Sequence, residues 1–321
     1  MVPNGAKELV SPNGLLLAYF GEEYPAALYV KNLKTGAKTP IARGPDGLIA
    51  WGGISGMSFS PDGKKLVFEA WARQFVAGIY SVNTDGSSVL DDGPGMTVLA
   101  SDGPLHPTGK PGPMMAITNP MYSPDGSKIL VQVYVTNGKT DQEGHKDHSE
   151  DKSYIGLISP EETNQTPRRL TEGVPLFWSH DGSGVYYNKR GVVYRFDIPR
   201  KMSKRVLDTE DVNKRTDILG RVPGVDAAFT VPSNQDDAKL AVTSLDGTNI
   251  NQSLEDFAAS LPRRDSDGRV LRAVEEAGPH LLMLRYAMPF GSLIRAFKQG
   301  ELGQLKESGK LTPRLQIVKF P

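Results

Sequence analysis

Short apolar runs rich in β-branched and aromatic residues recur along the chain, separated by polar clusters of Ser, Pro, Asn, Asp and Gly. Runs such as Leu15 to Phe20 and Lys128 to Val135 are apolar at odd and even positions alike. A strand with one wet face alternates, so these runs predict strands covered on both faces. Each run follows a tight-turn signal, and each is followed by a second hairpin with its own turn. Leu28 to Leu33 leads to Lys34-Thr35-Gly36, Ile79 to Asn83 to Thr84-Asp85-Gly86, Val192 to Ile198 to Pro199-Arg200-Lys201, and Leu293 to Phe297 to Lys298-Gln299-Gly300-Glu301. The repeating unit is therefore four strands, with second strands expected near residues 15, 65, 128, 184, 239 and 281. This predicts an all-β chain folded as a six-bladed β-propeller of four-stranded antiparallel blades, one domain over residues 1–321. Five blades plus a helical insertion is the alternative. Residues 238–245 also read as a third strand, and Leu254, Phe257, Ala258 and Leu261 fall at helical spacing within Ser253 to Leu261. Arg314 to Phe320 is one more strand, expected to pair with the first blade and close the ring.

The turns carry a motif. Ser60-Pro61-Asp62-Gly63 and Ser123-Pro124-Asp125-Gly126 are its clearest copies, Ser11-Pro12-Asn13-Gly14 and Ser179-His180-Asp181-Gly182 match closely, and a decayed copy is read at Val231-Pro232-Ser233-Asn234. Serine accepts a backbone hydrogen bond, proline presets φ at the second position, aspartate suits the third and glycine the last. Phe59, Tyr122 and Trp178 precede the serine in three copies, and with Trp51 and Phe177 they flank inner strands where a propeller core needs aromatics.

An aromatic-Ser-Pro-Asp-Gly turn between the first two strands of a blade resembles the WD40-like (PD40) repeat of the TolB β-propeller family. The resemblance is specific at four places and decays over the last third of the chain. It implies the fold, and it spans several functions: the periplasmic TolB protein, which contacts envelope partners, propeller domains of prolyl-oligopeptidase-type peptidases, and oligogalacturonate lyases. TolB carries an additional α/β domain and the peptidases a hydrolase domain. No Gly-x-Ser-x-Gly occurs here, so a stand-alone propeller is expected, with a periplasmic or extracellular location implied by the resemblance.

Composition removes many other chemistries. The chain has no cysteine, hence no disulfide, thiolate nucleophile or iron-sulfur cluster; this is compatible with an exported or a cytosolic protein. Its 37 basic residues balance 37 acidic ones, so no global field favours nucleic acid or an anionic membrane. No apolar run reaches the ~18 residues of a membrane span. Glycine and proline make up 18 % of the chain, the amount a turn-rich fold requires. P-loop, His-Glu-x-x-His, EF-hand and dinucleotide fingerprints are missing, and no catalytic residue is assigned.

Binding is expected on the face opposite the Ser-Pro-Asp-Gly turns, because the long segments Asp91 to Thr118 and Asn137 to Ser153 belong there. Trp71, Arg73 and Phe75 enter that face and are residue types of interface cores; His106 lies in the first long segment. The second holds His145, Asp147, His148, Glu150 and Asp151, whose imidazoles and carboxylates suit a divalent metal, although such a run ordinarily reads as a solvated loop. Between Lys189 and Arg205 seven cations face one carboxylate, Asp197. This is read as a solvated outer hairpin, with an acidic partner or anionic polysaccharide as the alternative. His180 and His280 have ordinary structural readings in a turn and at a strand start. The expected function is a non-catalytic propeller that binds a protein partner or scaffolds an envelope or extracellular assembly. The alternative is a metal-assisted polysaccharide lyase or hydrolase at the channel mouth.

Overall fold

The computed structural model describes residues 8–20, 27–43, 56–72, 75–87, 96–101, 115–135, 152–209, 216–233, 238–278, 280–287 and 314–320. Six antiparallel sheets, each built from strands consecutive in the chain, are the blades of a six-bladed β-propeller. The first holds β1 (Glu8–Val10), β2 (Leu16–Phe20), β3 (Ala27–Asn32) and β4 (Lys38–Arg43). The second holds β5 (Met57–Phe59), β6 (Lys65–Ala72), β7 (Phe75–Asn83) and β8 (Thr97–Ser101). The third holds β9 (Met115–Tyr122), β10 (Ile129–Val135), β11 (Lys152–Ile158) and β12 (Arg168–Glu172). The fourth holds β13 (Val174–Trp178), β14 (Gly184–Lys189), β15 (Val192–Asp197) and β16 (Met202–Asp208). Among the described residues the fifth blade shows β17 (Thr216–Arg221), β18 (Ala227–Pro232) and β19 (Ala241–Ser244), followed by helix α1 (Gln252–Ser260). The sixth shows β20 (Val270–Gly278), β21 (Leu281–Ala287) and β22 (Arg314–Lys319).

One compact unit comprises Asn4–Arg190 and Tyr194–Lys204; the other comprises Met1–Pro3, Gly191–Val193 and Arg205–Pro321. In the first, the doubly apolar strands do what their pattern requires. Val131 and Val133 of β10 pack with Val67, Ile79 and Leu99 of the second blade, while Leu130 on the other face packs with Trp178, Val185 and Tyr187 of the fourth. Polar links stitch the same blades together. The Tyr122 N–H donates to Ser58 Oγ at 3.0 Å, and Trp178 Nε1 donates to the Met121 carbonyl at 3.1 Å. The segment after β11 reaches back to the edge of the second blade, where Asn164 and Gln165 N–H groups donate to the Val98 and Leu99 carbonyls. That contact satisfies backbone groups that an edge strand otherwise leaves open.

In the second unit, Leu219, Phe229, Val242, Leu271, Leu284 and Tyr286 form a core against which Leu254, Phe257, Ala258 and Leu261 of the helical segment pack. The helical spacing therefore marks a true helix, added to six blades rather than replacing one. Asn251 caps it, its side chain accepting from the Ser253 N–H. Blades five and six approach so closely that a Cβ on Gly220 would lie 1.8 Å from the Val274 carbonyl oxygen.

Three sequence expectations are corrected. The second strand of the fifth blade is β18, beginning at Ala227 rather than near 239, and Val231-Pro232 ends that strand instead of forming a turn. Its turn is Val222-Pro223-Gly224. There the Val222 N–H still donates to Ala227 O, as Ser60 N–H does to Lys65 O, but without serine or aspartate the motif is invisible. Among the described residues the C-terminal strand pairs with β21, Leu281 opposite Lys319, and not with the first blade; this fills the strand position expected of Leu293 to Phe297, which lies outside the described residues. Thr97–Ser101 is the fourth strand of blade two, so the irregular segment before β9 is shorter than Asp91 to Thr118.

Candidate functional site

The strands of the first unit have two unlike ends. At one end lie the serine turns, whose chemistry is closed. In each of the four, a buried serine hydroxyl donates to the Asp or Asn two residues on, at 2.6 to 2.7 Å, and accepts the N–H five residues on, at 2.8 to 2.9 Å. The same carboxylate or amide oxygen accepts a further N–H at 3.0 Å. Hydrogen bonds from Ser123 and Ser127 hold the Asp125 carboxyl down to about 2, and those from Ser183 and Ser179 hold Asp181 there as well. Neighbouring turns touch: the ideal Cβ position of Gly126 is 3.2 Å from Pro61 Cδ, and that of Gly182 is 3.5 Å from Pro124 Cδ. These serines are bonded to aspartate and backbone, an arrangement that positions a turn and does not activate a nucleophile.

The opposite end is where long connections leave. Ala72 pairs with Phe75, so β6 ends and β7 begins there. Met115 and Lys152 both pair with Val135, so the start of β9, the end of β10 and the start of β11 lie at this end too. The long segments themselves, on which the expectation of a shared face rests, lie outside the described residues. Trp71 lies in β6 at a register shift and Phe75 opens β7. Arg73, His106, His145, Asp147, His148, Glu150 and Asp151 lie outside the described residues, as do the side chains of Trp71 and Phe75. Among the described residues there is no group of three or more His, Asp or Glu able to hold a metal.

Blades three and four build a defined surface at this end. Gln132 Nε2 donates to Ser153 Oγ at 3.0 Å, Ser153 Oγ donates to the Gly173 carbonyl at 3.3 Å, and the Gly173 N–H returns to Ser153 O at 3.1 Å. This network pins the crossover between the blades. Gly173, with φ 136°, is required there because a Cβ would sit 2.6 Å from the Tyr187 ring. Around the crossover, Tyr134 and Val174 are 39 % and 41 % exposed. The Arg169 guanidinium lies over the Tyr154 ring, 5.2 Å from its centroid. Glu172 bridges Arg169 at 3.0 Å and Lys189 at 3.3 Å, and these cations, Lys189 first, hold its carboxyl below the usual range. Lys152, the first residue of β11, and Arg190, in the turn after β14, are exposed.

The basic run from Lys189 to Arg205 is divided by this geometry. Lys189 and Arg190 belong to the loop-bearing end. Arg195 instead turns toward Asp197 at 3.6 Å and Asp181 at 3.9 Å, Arg200 pairs with Asp197 at 3.2 Å, and Arg205 bonds Asp208. The run is thus the outer hairpin expected of it, with Arg195, Arg200 and Arg205 held in ion pairs, Phe196 buried and Tyr194 and Ile198 packed against the core. His180 is exposed in its turn, and His280 sits in a left-handed turn, φ 57°, before β21. Sequence reading missed Tyr134, Tyr154, Arg169, Glu172 and Val174 as a group. Register sets Tyr154, Arg169 and Glu172 on one face of the third blade and Tyr134 on the other, and no linear signal marks either set.

No protein-family model matches the chain, and no curated protein matches it in sequence. Solved structures do match in fold. TolB from Acinetobacter baumannii superposes with a TM-score of 0.46 at 18 % identity, covering 75 % of this chain and 52 % of TolB. An oligogalacturonate lyase in complex with manganese gives 0.54 at 10 % identity, covering 89 % of this chain and 71 % of the lyase. Acylaminoacyl peptidase from Pyrococcus horikoshii gives 0.51 at 13 %, covering 89 % of this chain and 44 % of the peptidase. The chain spans about half the length of the Acinetobacter TolB. All three are likenesses of fold.

Proposed function

We propose that this chain is a non-catalytic, TolB-like propeller that binds a protein partner through the loop-bearing end of blades two to four. The observation that supports the reading is the contrast between the two ends. The serine turns satisfy their own polar groups and touch one another, whereas the other end presents the half-exposed Tyr134 and Val174 and the ion-paired Arg169, Glu172 and Lys189. Rigid strands carrying long connections and aromatic-plus-arginine surfaces are the usual build of a recognition face. On the resemblance of its turns we place the partner in the bacterial envelope or exterior. Among the described residues no helix is long and apolar enough to cross a membrane.

A photo-crosslinking residue at position 174, compared with one at Ser127 on the turn end, tests this in cells that make the chain. A discrete protein adduct at 174 and none at 127 is expected; no adduct at 174, or equal adducts at both, overturns the reading. Turnover of a defined glycan or peptide by the purified protein, lost on substituting His106, His145 or His148, also overturns it. The second reading, a metal-assisted polysaccharide lyase or hydrolase, draws on the run His145 to Asp151, between β10 and β11. Purified protein without a stoichiometric divalent ion eliminates it.

A further inference from the structure

We propose that Asn13 is a deamidation site held closed by the folded turn of the first blade, and that of its two products only aspartate fits that turn. Asparagine before glycine is the pair most open to this reaction, because no Cβ hinders the approach of the glycine nitrogen. Three such pairs occur in the chain, and Asn13-Gly14 is the one within the described residues. In the turns at Ser60, Ser123 and Ser179 the same position is already aspartate. The Gly14 nitrogen, having given its proton to solvent, attacks Asn13 Cγ. The N–Cγ bond forms, the Cγ–Nδ2 bond breaks, and the amide nitrogen takes a proton from solvent and leaves as ammonia. Water then opens the cyclic imide at either carbonyl, giving aspartate or isoaspartate.

Asn13 is exposed, so neither water nor base is excluded from it, and what holds the reaction back is hydrogen bonding. The Gly14 N–H donates to the Ser11 carbonyl at 2.8 Å, so the electron pair left by its proton points at that oxygen instead of Cγ. Asn13 Oδ1 accepts the Ser11 hydroxyl at 2.7 Å and the Leu15 N–H at 3.0 Å. Ring closure gives up the first bond and turns the carboxamide against the other two, so it waits on a local opening of the turn. The products differ in fit. Aspartate is already seated in three equivalent turns, where Asp62, Asp125 and Asp181 accept a serine hydroxyl at 2.6 to 2.7 Å and an N–H at 3.0 Å. Isoaspartate lengthens the backbone by one methylene. That moves the Gly14 and Leu16 N–H groups off Ser11, a completely buried partner that cannot follow them.

The test follows the full chain in mildly alkaline buffer, native and in guanidinium chloride, by mass spectrometry of tryptic peptide 8–31. That peptide holds no other asparagine and no glutamine, so its mass gain reports Asn13 alone. Native conversion is expected to be at least tenfold slower than conversion in denaturant; equal rates overturn the inference. Ser11→Ala removes a donor to Oδ1 and should raise the native rate at least threefold while leaving the denatured rate within twofold. Ser127→Ala, in the turn of the third blade, should leave both rates within twofold. An unchanged native rate in Ser11→Ala, or an equal acceleration in Ser127→Ala, overturns the inference as well. Asn13→Asp makes the aspartate product directly. Its thermal unfolding midpoint at neutral pH is expected to be no lower than the parent's, and a lower one overturns the fit of aspartate to the turn. Should Ser11→Ala fail to fold, the two rates of the unsubstituted chain and the Asn13→Asp midpoint still decide the outcome.

Discussion

Ser179 is completely buried, and its hydroxyl has three uses: it donates to Asp181 at 2.7 Å, accepts the Gly184 N–H at 2.8 Å and lies 3.1 Å from the Gly184 carbonyl. Alanine there would strand a buried N–H and release the aspartate. Ser179→Ala is therefore expected to lower unfolding free energy by about 1–3 kcal/mol. Ser127→Ala, which removes an exposed hydroxyl from Asp125, should stay within about 0.5 kcal/mol; urea denaturation of both variants measures the difference. At this scale the sequence is legible where residue type and local geometry coincide. A serine two residues before an Asp-Gly announces its own turn. Gly220 announces nothing, because its need to be glycine comes from the Val274 carbonyl of another blade. The same holds at the candidate site, where Arg169 meets Tyr154 only through the pairing of β11 with β12.

Among elements, helix α1 shows how much a spacing can predict. Leu254, Phe257, Ala258 and Leu261 do face the core, and Phe257 meets Phe320 edge-on at 5.5 Å between ring centroids. The cap is separable from this packing, since Asn251 is exposed and its side chain accepts the Ser253 N–H at 2.9 Å. Asn251→Ala should cost about 1 kcal/mol in the urea-induced unfolding of the full chain, and Asn251→Asp should recover most of it. The fifth blade shows the opposite case. Residues 238–245 admitted two strand assignments because an apolar run of that length fits a second or a third strand equally well. Pairing of Thr230 with Ala241 decides for the third, and the turn that sets the register uses Val222 and Gly224, which carry no hydroxyl or carboxylate to mark it.

Across the molecule, three successive blades hold turn aspartates with depressed acidity: Asp62 is lowered, and Asp125 and Asp181 lie at about 2. A carboxylate more acidic in the folded chain than its unfolded value of 3.8 adds stability that is fully present above that value and lost as pH falls toward 2. Unfolding midpoints should therefore be flat from neutral pH to about 4 and then fall toward 2, apart from general acid effects. The pair Asp125→Asn and Asp181→Asn should flatten the decline, and Asn13, which makes the same turn bonds, shows that an amide fits. Thermal melts across the pH series check this. What the amino-acid sequence determined by itself was local and repeated: the four-strand unit, the motif turns and the helical spacing of α1, because short-range turn chemistry and residue periodicity are written in each segment. Tertiary structure alone decided the register of the fifth blade, the pairing of the last strand with β21, and the gathering of Tyr134, Tyr154, Arg169, Glu172, Val174 and Lys189 at one end. Those depend on which backbones lie side by side, and hydrogen bonds between strands distant in sequence leave no mark on either strand alone.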